Sequence, residues 1–250
     1  MRTFMNELLD TSAHIIAHYF HKRDYRIDQK SNQTPVTIAD QEAELAMRKL
    51  IESRYPEHGI IGEEYGNKNP DATYVWVLDP IDGTIAFIHG VPLFVTLIAL
   101  LKNGQPILGA INQPIAQLRC EGDNHHAWLN GQATRMREPG ALADSTLLCT
   151  DLLNIGRLHN QTGFNDLLTK VKLFRTWGDG FGYLLLASGK ADIMVDAKMA
   201  PWDILPVIPV IRGAGGTITS FSGADPVSAN SAISAHPIIF NQVYQKIACH

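Results

Sequence analysis

The 250-residue chain is 45% hydrophobic, so it is large and apolar enough for one big core or for two fused subdomains. Its net charge of −4 provides no overall basic field, which argues against nucleic acid or an anionic membrane as a partner. The longest apolar run, PLFVTLIALL, is about half the length of a membrane span. The cysteines are widely spaced and form no CxxC pair, which favours reduced, structural thiols in a cytoplasmic protein.

The first part of the chain mixes helices with strands. Apolar residues at helical spacing predict a helix from Thr3 to about His21 and a second one from about Asp40 to YPEHG. The polar stretch RIDQKSNQTP between them predicts a mobile loop. IIGEE and YVWVLDP predict short strands that run into acidic residues. LFVTLIALLKNGQPILGAINQP predicts a hairpin around KNGQP, and RCEGDNHHAWLNGQ continues it with further short strands.

The pattern changes after about Ser145. The predicted strands TLLCT, VKLFRTW, ADIMV and GTITS alternate with the predicted helices TGFNDLLTK, GDGFGYLLLASGK and PWDILPVIPVIRGAG. Such alternation is typical of an α/β unit. The sequence therefore predicts an α+β half at residues 1–142 fused to an α/β half at residues 143–250.

The most informative stretch is DPIDGT, which directly follows a buried strand and contains Asp79 and Asp82. Pro80 fixes the backbone and Gly83 permits a close approach, so two carboxylates leave the strand at one place. A helix cap or a solvated turn explains a single acid, but two acids packed together are costly without a cation. Carboxylate oxygens are the ligands that Mg²⁺ and Mn²⁺ prefer, so the motif predicts a divalent metal site.

A short helix is predicted to begin at Gly83 and Thr84 and to run through IAFIHG. The free N–H groups at the start of such a helix suit a phosphate group. Further acids lie at other strand ends and helix starts, namely Glu63 and Glu64 in GEE and Asp203 in PWD. Metal-binding acids beside an anion-binding turn indicate phosphate ester chemistry.

The order of these motifs resembles the signature of the inositol monophosphatase superfamily: TIAD at residues 37–40, then GEE, WVLDPIDGT, and PWD before an apolar helix and GAGG. The resemblance covers nearly the whole chain. It implies a layered α-β-α-β-α fold of two pseudo-domains. It also implies Mg²⁺-dependent, lithium-sensitive hydrolysis of small phosphomonoesters, commonly by a homodimer.

Three stretches that cover much of the substrate-facing half most resemble the histidinol-phosphate phosphatases of this superfamily. They are PLFVTLIALLKNGQPILGAINQP, WGDGFGYLLLASGKADIMVD and PWDILPVIPVIRGAGGTIT. The likeness implies hydrolysis of L-histidinol phosphate to L-histidinol and phosphate, in histidine biosynthesis. These stretches are less diagnostic than the metal motifs, because relatives of broad specificity share parts of them.

Matching the family motifs residue by residue implies a set of metal ligands. A first ion would bind Glu63, Asp79 and the backbone carbonyl of Ile81, and a second would bind Asp79, Asp82 and Asp203. The resemblance implies two or three Mg²⁺ ions, with Mn²⁺ as a possible substitute, and an in-line attack by an activated water.

Two further roles follow from the same resemblance. Glu63 and Thr84 would orient and deprotonate the attacking water, and Gly83 with Thr84 would bind the phosphate. Asp40 resembles the residue that supports the threonine hydroxyl. The alternative for Asp40 is that it is the N-cap of the second helix.

The organic end of the substrate needs its own contacts. Histidinol phosphate carries an ammonium group and an imidazole, which favour nearby acids. The predicted substrate contacts are Asp82, Asp179 in WGDGFG, and Asp196, which precedes Asp203 by seven residues. The alternatives are that GDG, which contains Asp179, is a helix cap and that VDAKM, which contains Asp196, is a strand-ending turn.

Three functions remain open from the sequence. The leading one is a Mg²⁺-dependent histidinol-phosphatase. The second is an inositol monophosphatase or a broad-specificity sugar and nucleotide phosphatase on the same scaffold. The third is a metal-binding scaffold without turnover, which the complete set of acids disfavours. Asp179 and Asp196 distinguish the first two functions, because only a cationic substrate benefits from their charges.

Overall fold

A computed structural model of the chain describes residues 1–22, 27–29 and 35–248. The helices in this part are α1 (Arg2–Lys22), α2 (Ile38–Arg54), α3 (Thr84–Ile88), α4 (Leu152–Leu158), α5 (Gln161–Leu168), α6 (Asp179–Ala187), α7 (Pro201–Gly213) and α8 (Pro237–Ile247). Short 3₁₀ turns lie at Leu142–Asp144 and Pro226–Ser228.

The strands fall into three sheets. They are β1 (Ile27–Gln29), β2 (Pro35–Thr37), β3 (Gly59–Gly62), β4 (Gly66–Lys68), β5 (Tyr74–Asp82), β6 (Val95–Lys102), β7 (Gln105–Gln113), β8 (Leu118–Gly122), β9 (Ala127–Leu129), β10 (Gln132–Thr134), β11 (Thr146–Cys149), β12 (Leu173–Arg175), β13 (Ile193–Asp196), β14 (Thr217–Thr219) and β15 (Ala232–Ala235).

The first large sheet has the order β10-β9-β8-β7-β6-β5-β3-β4 and is antiparallel except for the β3–β5 pair. The second has the order β12-β11-β13-β15-β14 and is mixed: β11 is parallel to β12 and β13, whereas β15 is antiparallel to both of its neighbours. Strands β1 and β2 pair with each other antiparallel.

Strand β5 shows why the first sheet is covered on both faces. Its side chains alternate with a period of two, so Val75 and Val77 pack with α6 and α7, and Trp76 and Leu78 pack with α1 and α2. A strand that is buried on both faces is apolar throughout, as the run YVWVL is. Helices α1 and α2 are therefore the outer layer on one side of this sheet.

Helices α6 and α7 lie between the two large sheets. Leu148 and Met194 of the second sheet face them, whereas Leu147 and Ile193 point the other way, into a cluster with residues of α4, α5 and α8. The order of layers is helix, sheet, helix, sheet, helix. This confirms the α-β-α-β-α fold that the family resemblance implied.

Helix α7 packs unusually close to the first sheet. A Cβ atom at Gly109 or Gly122 would collide with the backbone carbonyl of Pro206 or Pro209, respectively. Both prolines lie inside the helix, where each removes one helical hydrogen bond. Two glycines on β7 and β8 thus allow backbone contact with the middle of α7.

Several short elements differ from the sequence-based prediction. The predicted loop at residues 26–35 contains β1 and the first residue of β2, so the prediction is wrong there, whereas residues 26 and 30–34 lie outside the described part. Strands β4 and β15 and helices α4 and α8 were not predicted. Strand β15, with the sequence AISA, has small residues of weak strand preference, and its pairing with β13 and β14 determines its conformation.

Among the helices of the described ranges, none combines the length and the apolar character of a membrane span.

Cys120 and Cys149 are buried free thiols, and burial raises the pKa of each to about 12. Such thiols are inert and serve as packing residues. Cys249 lies outside the described residues.

Candidate active site

A bulge in β5 brings Asp79 and Asp82 to one side of the sheet. Asp79 pairs with Leu97 and Asp82 pairs with Val95. The two paired positions are three residues apart on β5 but only two residues apart on β6, so β5 contains one extra residue. In a regular strand, residues three apart point to opposite faces. The extra residue, next to Pro80, cancels this alternation, and both carboxylates reach the same site.

Two buried hydroxyl groups support the bulge from the side of β6. The Thr96 hydroxyl donates to the Pro80 carbonyl at 2.8 Å, and Ser12 Oγ of α1 lies 3.2 Å from Thr96 Oγ1. Because the Thr96 proton is used on Pro80, Ser12 is the donor in the second bond. The Pro80 carbonyl, which the bulge removes from the regular ladder, is therefore satisfied by the Thr96 hydroxyl.

The third acid of the cluster comes from the first turn of α7. The Ala200 N–H donates to Asp203 Oδ2 at 2.7 Å, which fixes the carboxylate at the start of the helix. Asp79, Asp82 and Asp203 each offer a carboxylate oxygen, and these oxygens lie within 4.8 Å of one another. Asp79 is 2% exposed, and its Oδ1 atom is buried without a hydrogen-bond partner among the described residues.

The acids of this cluster raise each other's pKa values. Burial, then repulsion from Glu63, raises the pKa of Asp79 well above its ordinary value. Burial, then the charge of Asp179, does the same for the pKa of Asp82, and burial raises the pKa of Asp203 to about 7. An unpaired buried carboxylate oxygen among hard oxygen donors fits a divalent cation, which would reverse this repulsion.

Glu63 reaches the cluster from the end of β3. This strand runs parallel to β5, with Gly62 beside Leu78, and the Glu63 N–H donates to the Leu78 carbonyl at 3.2 Å. Glu63 directly follows Gly62, and Asp79 directly follows Leu78. Because Gly62 and Leu78 are paired neighbours, Glu63 and Asp79 leave the two parallel strands side by side. Glu64 comes next in the turn, and its N–H donates to the Glu44 carboxylate at 2.8 Å.

The turn after β5 has the geometry that the sequence predicted for DPIDGT. Gly83 has a φ of 89° and precedes α3, which begins at Thr84. This left-handed backbone favours glycine. The Thr84 hydroxyl donates to the Ile81 carbonyl at 3.0 Å, and a Cβ at Gly83 would lie 3.2 Å from Asp179 Oδ2. The carbonyl and the hydroxyl named in the predicted ligand and catalytic sets are thus adjacent.

Asp40 is not the N-cap of α2, so that alternative is wrong. Thr37 is the N-cap, and Asp40 is the third residue of the helix in a capping box. Its Oδ2 accepts the Thr37 N–H at 2.9 Å and the Thr37 hydroxyl at 2.6 Å. Support of the Thr84 hydroxyl by Asp40 stays a prediction.

Asp179 stands next to the metal-ligand candidates. It is the first residue of α6, and Gly178 of the same GDG stretch is the N-cap, so GDG does begin a helix, although no side chain caps it. The Asp179 N–H donates to Thr150 Oγ1 at 2.7 Å, and the next N–H, of Gly180, donates to Asp82 Oδ2. Burial raises the pKa of the Asp179 carboxyl to about 6.

Asp196 is more deeply placed, at the last position of β13, and is 5% exposed. Burial raises its pKa to about 7, although hydrogen bonds from the Thr150 and Tyr183 hydroxyls oppose the shift. Thr150 therefore links Asp196 to the backbone of Asp179. The two predicted substrate contacts belong to one connected group at the start of α6.

Several supporting residues were not predicted from the sequence. They are Ser12, Glu44, Arg48, Thr96, Thr150 and Tyr183. Among them, Glu44 and Arg48 could best have been found from the sequence, because both are charged and lie on the same face of α2 as the buried Ala43 and Met47. A buried ion pair needs a structural or functional reason.

Comparison with known proteins matches the whole chain, residues 1–250, to the inositol monophosphatase family. The chain is 44% identical to the bifunctional phosphatase IMPL2 of Arabidopsis thaliana over 87% of its own length, although it spans only 63% of that relative. It is 34% identical to a histidinol-phosphatase of Chlorobaculum parvum, with 93% of each chain covered.

A solved structure agrees with these relatives. An inositol monophosphatase from Zymomonas mobilis superimposes with a TM-score of 0.85 at 33% identity, covering 98% of this chain and 96% of that one. The layers, the order of the motifs and the acidic cluster all agree with this assignment. The chain belongs to the inositol monophosphatase family.

Proposed function

We propose that this protein is a divalent-cation-dependent phosphatase that hydrolyses L-histidinol phosphate to L-histidinol and phosphate. The observation that carries the proposal is the convergence of Asp79, Asp82 and Asp203, whose carboxylate oxygens lie within 4.8 Å of one another. Asp179, beside this cluster, adds negative charge where a cationic substrate would lie. Similarity to the histidinol-phosphatase of Chlorobaculum parvum supports this choice of substrate.

The residues proposed to hold Mg²⁺ or Mn²⁺ are Glu63, Asp79, the Ile81 carbonyl, Asp82 and Asp203. Ions bound there would supply positive charge for the phosphate oxygens and would acidify a water molecule. The unpartnered Oδ1 of Asp79 supports this assignment, because a buried carboxylate oxygen without any partner in the described part of the chain is otherwise destabilising.

Glu63 and Thr84 are the proposed catalytic residues. The Thr84 hydroxyl donates its proton to the Ile81 carbonyl, so its oxygen is left to accept a hydrogen bond from the attacking water. Glu63 would accept the second proton of that water as general base. The N–H groups of Gly83 and Thr84 would hold the phosphate, and Asp40 would support Thr84.

Asp82, Asp179 and Asp196 are the proposed contacts for the organic end of the substrate. An ammonium group near Asp179 would form a charge-assisted hydrogen bond, and the negative potential of the cluster would attract it. Asp196, behind Thr150, would act mainly through its charge because it is almost fully buried.

Similarity to the inositol monophosphatase from Zymomonas mobilis favours a second candidate, an inositol monophosphatase or a phosphatase of broad specificity. The deciding experiment measures phosphate release from histidinol phosphate, inositol 1-phosphate and adenosine 3′,5′-bisphosphate with Mg²⁺. We expect the highest kcat/KM for histidinol phosphate. A preference for inositol phosphate would favour the second candidate, and no hydrolysis of any substrate would favour a scaffold without turnover.

A further inference from the structure

Glu44 of α2 is a fully buried carboxylate that is not part of the acidic cluster. Its Oε2 accepts the Glu64 N–H at 2.8 Å. Its Oε1 accepts the Tyr65 N–H at 3.1 Å and the Arg48 Nε–H at 2.7 Å. Every one of these donors lies on α2 or in the turn after β3, directly behind Glu63.

Arg48 completes the clamp on this turn. Its guanidinium donates to the Gly66 carbonyl as well as to Glu44. Glu44 and Arg48 together therefore bind two N–H groups and one carbonyl group of the turn. The strand end approaches so closely that a Cβ at Gly62 would collide with the Glu44 carboxylate. Glycine at this position is therefore what lets the carboxylate reach the turn.

The backbone of Glu63 is held on both sides as a result. Its own N–H donates to the Leu78 carbonyl of β5, and the N–H of the following residue, Glu64, donates to Glu44. Fixing both neighbouring peptide groups restricts the direction in which the Glu63 side chain leaves the turn. A carboxylate that served only to neutralise Arg48 would not need two backbone donors.

We infer that Glu44 is a positioning residue that aims Glu63 at the metal cluster through the backbone of the turn. This inference rests on the proposed function, since it assumes that Glu63 binds a divalent ion. Groups that hold a metal ligand in place typically change metal affinity by about 10- to 100-fold when they are altered. Glu44 would do so without touching an ion or the substrate.

The test uses Glu44→Gln, which keeps the size of the side chain. The amide NH₂ group must face either the Glu64 N–H or the donors of Arg48 and Tyr65, so one contact becomes a donor–donor clash. We expect Mn²⁺ binding to the metal-free protein, measured by calorimetry or electron paramagnetic resonance, to weaken by about 10- to 100-fold. We also expect kcat to fall, and its change to be larger than the change in KM.

The chain offers a matched control in Asp192, another buried carboxylate. Asp192 is 2% exposed, accepts two hydrogen bonds from Arg137, and accepts the Thr146 N–H at 2.7 Å. It precedes β13 at the end of the strand opposite to Asp196. Asp192→Asn should lower the melting temperature in the same way as Glu44→Gln but leave the Mn²⁺ affinity unchanged.

Glu44→Asp provides a second variant if Glu44→Gln is poorly folded. It keeps the charge that Arg48 needs but shortens the side chain by one methylene, so the hydrogen bonds to the turn lengthen. Weaker Mn²⁺ binding by this variant would support the positioning role. Equal Mn²⁺ affinity of wild type and both variants, or an equal loss in Asp192→Asn, would overturn the role of Glu44. Failure of the wild type to bind Mn²⁺ would instead overturn the proposed metal site and this inference with it.

Discussion

Asp79 illustrates how a single residue can be unfavourable for the fold and suited to a function. Its carboxylate is buried, has one oxygen without a partner among the described residues, and lies among other acids that raise its pKa. Burying an unpaired charge usually costs several kcal/mol. A cation bound at the proposed site would remove this cost, so we expect the residue to be destabilising only in the metal-free protein.

The first prediction concerns Asp79→Asn. Because a neutral amide removes the repulsion within the cluster, we expect the metal-free variant to melt about 2–4 °C higher than wild type at pH 8. Mn²⁺ binding and phosphatase activity should be lost. Thermal unfolding with chelator present checks the first part, and calorimetric Mn²⁺ titration checks the second. A variant that melts lower than wild type in chelator would contradict this account of Asp79.

The second prediction concerns substrate choice and Asp179. Asn tolerates the left-handed backbone at this position, φ 50°, and keeps the N–H that binds Thr150, so Asp179→Asn removes mainly the charge. A charge-assisted hydrogen bond contributes about 1.5–3 kcal/mol, so kcat/KM for histidinol phosphate should fall by about 10- to 150-fold.

Glycerol 2-phosphate is the control substrate for Asp179→Asn, because its organic end carries no positive charge. The quantity to measure is the ratio of kcat/KM for histidinol phosphate to that for glycerol 2-phosphate. Asp196→Asn should lower the same ratio through its charge. If both rates fall together and the ratio stays constant, these acids support the metal site instead of selecting the substrate.

At the scale of elements, β5 shows where sequence patterns stop being informative. The run YVWVLDP predicts a strand that ends near Pro80, because proline cannot donate to the ladder. The strand in fact continues to Asp82 across the bulge, with the Pro80 carbonyl held by Thr96. Thr96 is 16 residues away in the sequence, and nothing in the local pattern of DPIDGT indicates this contact.

The third prediction tests the bulge as an element. Thr96→Val keeps the shape of the side chain but leaves the Pro80 carbonyl buried without a donor, which should cost about 1–3 kcal/mol of the free energy of unfolding. The same change should weaken Mn²⁺ binding, because the ligands flank the bulge. Urea unfolding of the metal-free protein and Mn²⁺ titration measure the two effects.

Ser234 provides the control for Thr96→Val. Its hydroxyl is also fully buried, in β15 of the second sheet, but it has no hydrogen-bond partner within the described ranges. Ser234→Ala should therefore change the free energy of unfolding little and leave Mn²⁺ binding as in wild type. Thr96→Ser, which retains the hydroxyl, should recover most of the metal affinity lost in Thr96→Val. Without that recovery, the bulge does not depend on Thr96 in the way described.

For the whole molecule, the resemblance to a known family implied both the layered fold and a site built from acidic residues. Asp79, Asp82 and Asp203 were predicted to share one site, and their carboxylate oxygens do lie within 4.8 Å of one another. Periodicity predicted α1 and α2 well because they are long and have one apolar face. It missed β15 and α8, and it gave no sign that Glu44 would contact Glu64, because such contacts depend on which distant segments pack together.

Charge repulsion in the site connects pH, metal and the stability of the whole chain. Burial raises the pKa of Asp179 to about 6 and those of Asp196 and Asp203 to about 7 in the metal-free protein. At pH values between the unfolded-state pKa near 4 and these folded-state pKa values, the folded state binds more protons than the unfolded state. Stability of the metal-free protein therefore falls as pH rises through about 4 to 7.

The fourth prediction follows from this sign. In chelator, the melting temperature should be lower at pH 8 than at pH 5.5 by about 5 °C or more, whereas saturating Mg²⁺ should raise it much more at pH 8 than at pH 5.5. The reason is that Mg²⁺ binds the ionised carboxylates, and at pH 5.5 it must first displace their protons. Asp203→Asn removes one of the titrating groups and should reduce both differences. Equal stabilisation by Mg²⁺ at the two pH values would mean that the metal does not bind at these acids.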